Sequence, residues 1–235
     1  MVLVQDQGVA IIIGITSGSM RYEGGDADRL CAALAPWCHI PEDIKKAELT
    51  RRAEWAAARL LAKKLLDGVS PDTAVRLHPK HGFPVVIVDK TESSSYFLSW
   101  AHSRGMIAAV LSSKPVGVDL EPVARDASRL LTRISSAQER KRLGDFVSVE
   151  GENVPSPIAL WCAKEAAAKA TGNGMHAGLA GYQLLSEDRP VWTLSIATPG
   201  PRTLRDPGVR FFRLGEFVGA VCTERALLLG DLTFN

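Results

Sequence analysis

The spacing of apolar positions along this chain changes period several times, and each change predicts an element. Residues 9–15, Val-Ala-Ile-Ile-Ile-Gly-Ile, are the longest apolar run near the start. The run is far shorter than the roughly 20 residues that cross a bilayer, so it predicts a buried strand. A loop-like stretch at 14–25 leads into a helical segment at 28–34. Pro41, Glu42 and Asp43 then open a long helical pattern that continues to Leu66 and closes at Asp67-Gly68. Proline fits a first turn, acids suit the positive end of the helix dipole, and glycine ends the helix. Trp55, Ala58, Leu61 and Leu65 give it a core stripe. Four strand-like segments follow at 74–77, 83–88, 96–100 and 106–111, each bounded by turn residues. After Ser112-Ser113-Lys114-Pro115, a strand pattern returns at 116–120, which Pro122 ends. A helical region is expected over 127–143 and a Gly/Pro/Ser loop over 144–156. Ser156-Pro157 reads as an N-cap and first-turn proline, and Gly172 as the stop, of a second long helix. Strands at 182–185, 191–196, 209–214 and 217–222 complete the pattern, with no internal repeat and no low-complexity segment.

A chain of 235 residues that is 46% hydrophobic can bury a substantial core, as one large domain or two small ones. Its net charge of +2 does not make it a polyanion binder, so no nucleic acid is expected as a partner and any basic surface is local. Cys31, Cys38, Cys162 and Cys222 form no C-x-x-C pair, and Cys38-His39 has no second pair to complete a zinc site. Reduced thiols and a cytoplasmic location are expected. The apolar run at 9–15 follows Asp6 rather than a basic segment, so neither a secretory signal nor membrane insertion is expected.

The candidate chemistry lies in two places. In Gly117-Val118-Asp119-Leu120-Glu121, strand alternation puts Asp119 and Glu121 on one face and Val118 and Leu120 on the other. About 40 residues on comes Trp161-Cys162-Ala163-Lys164-Glu165-Ala166-Ala167-Ala168-Lys169, where helical spacing aligns Trp161, Glu165 and Lys169, with Lys164 beside them. Carboxylates gathered this way repel unless a cation sits among them, and hard oxygens beside lysines suit a magnesium ion carrying a phosphate-bearing substrate. The bland alternatives are two solvated acids on an exposed strand face, an i,i+4 Glu-Lys surface pair worth a few tenths of a kcal/mol, and, for Trp161, a core aromatic.

The GVDLE and W-x-x-K-E-A-x-x-K stretches, in that order and at that separation, resemble the signature motifs of the 4'-phosphopantetheinyl transferases. The length resembles the two-lobed, surfactin-synthetase-activating type rather than the single-domain, holo-acyl-carrier-synthase type. The resemblance implies an α+β fold of two similar lobes, 1–115 and 116–235, a pseudo-dimer with coenzyme A in the cleft between them. It implies Asp119, Glu121 and Glu165 as ligands of magnesium, with manganese as an alternative, and Glu165 also as acceptor of the proton from an attacking hydroxyl. Lys164 and Lys169 would hold the pyrophosphate, so that Glu165, Lys169 and Asp119 form the catalytic set.

Three further stretches resemble the family. Arg51-Arg52-Ala53-Glu54-Trp55 with Arg59 looks like the basic helix whose arginine meets the 3'-phosphate of coenzyme A, Arg52 and Arg59 matching best. The planar guanidinium fork suits that task. His81-Gly82-Phe83-Pro84 resembles the G-K-P turn, but Phe83 replaces the lysine, leaving Lys80 as the substitute. Ala101-His102-Ser103 resembles the S-H-S stretch, with Ala101 for the first serine and His102 and Ser103 as coenzyme A contacts. The implied partners are coenzyme A and apo acyl or peptidyl carrier protein domains, met by a monomer. Arg125, Arg129 and Arg133, four apart, are a candidate docking stripe for an acidic carrier. Glu139 matches an acid often seen in the family's linker helix, without an assigned role. Two other classes stay open, a non-catalytic coenzyme A or nucleotide-binding module and a magnesium-dependent phosphohydrolase. Both leave the second motif to chance.

Overall fold

The computed structural model describes residues 2–6, 9–17, 24–35, 37–68, 73–77, 82–88, 91–92, 95–174, 178–188, 191–197 and 199–229. The fold is α+β, built from two antiparallel sheets that each carry one long helix. The first sheet has the order β1 (Val2–Asp6), β2 (Val9–Ser17), β7 (Met106–Ser112), β6 (Phe97–Ser103). Helix α3 (Leu49–Asp67) lies across it, flanked by α1 (Gly24–Leu34) and the short α2 (Glu42–Lys45). A small sheet of β3 (Thr73–Leu77), β4 (Pro84–Val88) and β5 (Thr91–Glu92) sits beside β6.

The second sheet runs β11 (Tyr182–Asp188), β12 (Val191–Ile196), β13 (Pro207–Leu214), β14 (Phe217–Glu224), β8 (Gly117–Pro122). Helix α6 (Ser156–Thr171) packs on β8 and β14. Between β8 and α6 come α4 (Ser128–Ile134), α5 (Ala137–Leu143) and a hairpin of β9 (Phe146–Val149) and β10 (Glu152–Pro155). A final turn of helix, α7, covers Arg225–Leu228. No helix among the described residues is long and apolar enough to cross a membrane. All four cysteines are buried and free.

Strands buried on both faces tie the two sheets together. Along β7, Ile107, Ala109 and Leu111 enter the core under α3, while Ala108 and Val110 join a second core shared with Val118, Leu120, Phe212 and Val221. Along β14, Val218, Ala220 and Cys222 face α6 in a third core. The register pairs Ala220 with Asp119 and Val218 with Glu121. Period-two alternation therefore sends Val118 and Leu120 inward between the sheets and turns Asp119 and Glu121 toward α6.

Several local expectations change. The helix expected from Glu42 to Leu66 is two, interrupted where Glu48 is extended. The break lets Ile44 turn into the α3 core, a gain that helical propensity does not record. The region 127–143 is likewise two helices: Ser135 is extended, and the Ser136 side chain caps α5 by accepting from the Glu139 backbone N–H at 3.1 Å. The loop at 144–156 contains the β9–β10 hairpin, turned by Glu150 and Gly151, both at positive φ. Ser156 begins α6 rather than capping it, and its hydroxyl is buried without a partner among the described residues.

Candidate active site

Helix α6 lies unusually close to β8 because of Gly117. A Cβ there would stand 2.6 Å from the Ala170 nitrogen and closer still to the Ala166 carbonyl oxygen. Ala163, Ala166, Ala167 and Ala170 keep the helix side of the contact thin. The result brings the acids of the strand against Glu165 and Lys169 of the helix.

Lys169 Nζ donates to Asp119 Oδ1 at 2.7 Å and to the Val118 carbonyl at 2.9 Å. Arg125, in the turn after β8, pairs with Glu121 and lies over the Trp161 ring at 5.3 Å. Ser103 Oγ, from the end of β6, donates to Glu121 Oε2 at 2.7 Å. Glu165, 7% exposed, is pushed up to about 7, first by burial and then by the negative charge of Asp119, with Lys169 opposing and Glu121 adding a smaller push. Burial also raises Glu121, against the Ser103 bond and Arg125. Asp119 and Glu165 thus share one compartment, close enough for the charge of Asp119 to raise Glu165. Cys162, fully buried beneath them, is held as a thiol by burial and by the same acids.

Two carboxylate oxygens in this cluster, Asp119 Oδ2 and Glu165 Oε1, are buried with no hydrogen-bond partner among the described residues. Orphaned acceptors on mutually repelling acids ask for a cation. The donors are hard oxygens, which fit magnesium or manganese; such an ion takes one or two carboxylates and keeps room for phosphate oxygens. Among the described residues, no three acidic, histidine or cysteine side chains already stand at ligand spacing. Lys169 and Arg125 neutralise Asp119 and Glu121 in the arrangement seen.

Lys169 also lines a cavity of about 170 Å³, with Arg59, Phe83, Trp100 and Gly172 among its walls. Its walls thus include Arg59 of α3 and Lys169, the lysine paired with Asp119. Arg59 is buried, its guanidinium 3.6 Å from the centre of the Trp55 ring and 4.6 Å from that of Trp100, and it donates to the Trp55 carbonyl at 2.9 Å. Burial lowers it to about 10, against the neighbouring Cys38. Arg52 pairs with Asp28 of α1. His102 Nδ1 lies 3.1 Å from Glu54 Oε2, and Glu54 Oε1 accepts the Gly105 N–H at 2.6 Å. The His102 bond is the largest influence holding Glu54 below the ordinary carboxylate range. Lys80 lies outside the described residues.

Lys164 departs from its expected place. Its ammonium has no exposed surface, bonds Glu139 Oε2 at 2.9 Å and also donates to the Tyr182 carbonyl, while Glu139 Oε1 accepts the Leu184 N–H at 2.8 Å. Successive helical residues point about 100° apart, so the neighbour of Glu165 faces α5 and the edge strand β11 rather than the cavity. Glu139, left without a role by the sequence, is thereby the partner of a buried charge, and that pairing depends on tertiary contact. The expected arginine stripe is also shorter: Arg129 and Arg133 are exposed on α4, whereas Arg125 precedes that helix and is engaged by Glu121.

The strand β8 and helix α6, held close by one glycine, thus bring three acids and a lysine into one cluster. The 4'-phosphopantetheinyl transferase superfamily model matches residues 115–222, and this part of the chain is a domain of that superfamily of transferases. The matched segment contains Asp119, Glu121, Glu165 and Lys169 and ends before the close of β14. A search of curated proteins returns no match.

Proposed function

We propose that this protein is a 4'-phosphopantetheinyl transferase of the two-lobed type, with lobes at 1–115 and 116–235 and coenzyme A between them. The observation that carries the reading is the pair of buried oxygens on Asp119 and Glu165, unpartnered among the described residues and set beside a lysine that also reaches the cavity lined by Arg59. Asp119 and Glu165, joined by Glu121, would hold magnesium or manganese, whose chemistry is to neutralise a diphosphate. Arg59 and His102 bind the phosphates of coenzyme A from the first lobe, with Ser103 orienting Glu121.

A serine hydroxyl of an apo carrier protein forms the new P–O bond to the β-phosphorus of coenzyme A. The bridging P–O bond breaks, and adenosine 3',5'-bisphosphate leaves. The serine proton passes to the Glu165 carboxylate, which acts as the general base. Lys169 steadies the charge on the departing phosphate. Exposed Arg129 and Arg133 offer an acidic carrier a docking surface. The protein works as a cytoplasmic monomer, in keeping with four free buried thiols.

Intact mass spectrometry of apo carriers incubated with the protein, coenzyme A and magnesium tests this. The carrier should gain one phosphopantetheine, and Asp119→Ala should abolish the gain while leaving the circular dichroism spectrum unchanged. Free phosphopantetheine without carrier modification would indicate a phosphohydrolase. Coenzyme A binding without either product would indicate a binding module.

A further inference from the structure

Arg59 has a place in the scheme above, but a second arginine beside the same cavity, half-buried, does not. Arg202, in the segment between β12 and β13, lies with its guanidinium carbon 3.9 Å from the centre of the Phe83 ring and 5.3 Å from that of Phe97. Its Nη2 donates to the Pro84 carbonyl at 2.6 Å, and its backbone N–H donates to the Thr171 carbonyl at 3.0 Å. Burial lowers it to about 10, and no carboxylate among the described residues opposes that shift.

These contacts join the two walls of the cavity. Phe83 and Pro84 line it from the first lobe, and Gly172 and Lys169 line it from the end of α6. Gly172 has a φ of 75°, and a Cβ there would stand 2.8 Å from the Phe83 ring. Phe83 is therefore wedged between the end of α6 and the Arg202 guanidinium, at the position where the family's turn carries lysine.

We propose that Arg202 is a positioning residue for the ligand cavity: gripping Phe83 and Pro84 on one side and Thr171 on the other, it sets the gap between the lobes and hence the affinity for coenzyme A, without touching the ligand. A bare guanidinium stacked on an aromatic ring suits that task, because it is held by the ring face and one carbonyl rather than by an acid that would repel an incoming phosphate. The inference rests on the reading that the cavity takes coenzyme A.

The test uses the full chain with Arg202→Met, Arg202→Lys and Phe83→Leu. Calorimetry gives Kd for coenzyme A, carrier labelling at saturating carrier gives KM and kcat, and thermal melts give Tm. Arg202→Met should raise Kd and KM about tenfold or more, the scale of a charged hydrogen bond, with kcat within about twofold of the parent. Arg202→Lys, which keeps a donor and a charge, should fall between. Adding Phe83→Leu to Arg202→Met should cost little further affinity, because both act through one contact. A lower Tm with Kd and KM unchanged would make Arg202 a structural staple and overturn the proposal, as would a fall in kcat at constant KM. If Arg202→Met does not fold, Arg202→Lys and Phe83→Leu decide the matter by the same criteria. A parent protein that binds no coenzyme A sinks the transferase reading and this inference together. A parent that binds, with variants that bind equally, sinks only the inference.

Discussion

Glu165→Gln separates the electrostatic cost of the acid cluster from its chemical use. Glutamine keeps the shape of the side chain and removes the charge. In the folded protein Glu165 is raised from 4.5 to about 7, chiefly by burial and by Asp119. The folded state thus holds this proton more tightly than the unfolded chain does. Its contribution is most favourable below pH 4.5, is lost as pH rises toward 7, and levels off above that. At about 1.4 kcal/mol for each pKa unit, the full loss is about 3 kcal/mol. Glutamine has no proton to lose, so in metal-free buffer Glu165→Gln should match the parent near pH 5 and exceed it by about 1–3 kcal/mol at pH 8. Urea denaturation with EDTA at the two pH values measures this. Magnesium at pH 8 should stabilise the parent by mass action, about 3 kcal/mol at a hundredfold excess over Kd, and the variant much less. A stability difference that is the same at both pH values, or a variant that is weaker at pH 8, would refute the reasoning. The variant should also lose carrier labelling.

Lys164→Met leaves Glu139 buried without its cation and should cost about 3–5 kcal/mol in chemical denaturation, while Lys164→Met with Glu139→Gln recovers part of that loss. Because Lys164 does not line the cavity, KM for coenzyme A in the folded fraction of either variant should stay at the parent value. Gly117→Ala forces α6 away from β8; it should cost about 1–3 kcal/mol in Tm-derived stability and, by separating Lys169 from Asp119, reduce the transfer rate by about tenfold or more. Arg129→Glu with Arg133→Glu should raise KM for the carrier at low salt, an effect that shrinks as ionic strength rises, with KM for coenzyme A unchanged.

Most elements of this chain were readable because period and punctuation agreed. The strands at 106–111 and 217–222 and the helix ending at Gly172 are present nearly as their patterns predict. Where local signals were weak, tertiary gain decided: the break before Leu49 has no glycine or proline, and the β9–β10 hairpin alternates over only four residues per strand. Asp119, Glu121, Glu165 and Lys169 stood out for a comparable reason. Strand and helix periods alone orient them, so their common face followed from spacing once β8 and α6 were placed.

What lay in the letters was therefore the identity and direction of each reactive side chain within its own element. What only the tertiary structure decided was the neighbour each one meets: that Lys164 turns to Glu139 and the Tyr182 carbonyl, that Glu54 holds His102, and that Arg202 braces Phe83 from across the cavity. Side-chain direction repeats with the backbone and is encoded over a few residues. Burial and pairing arise when distant segments exclude water between them, and no local pattern carries that information.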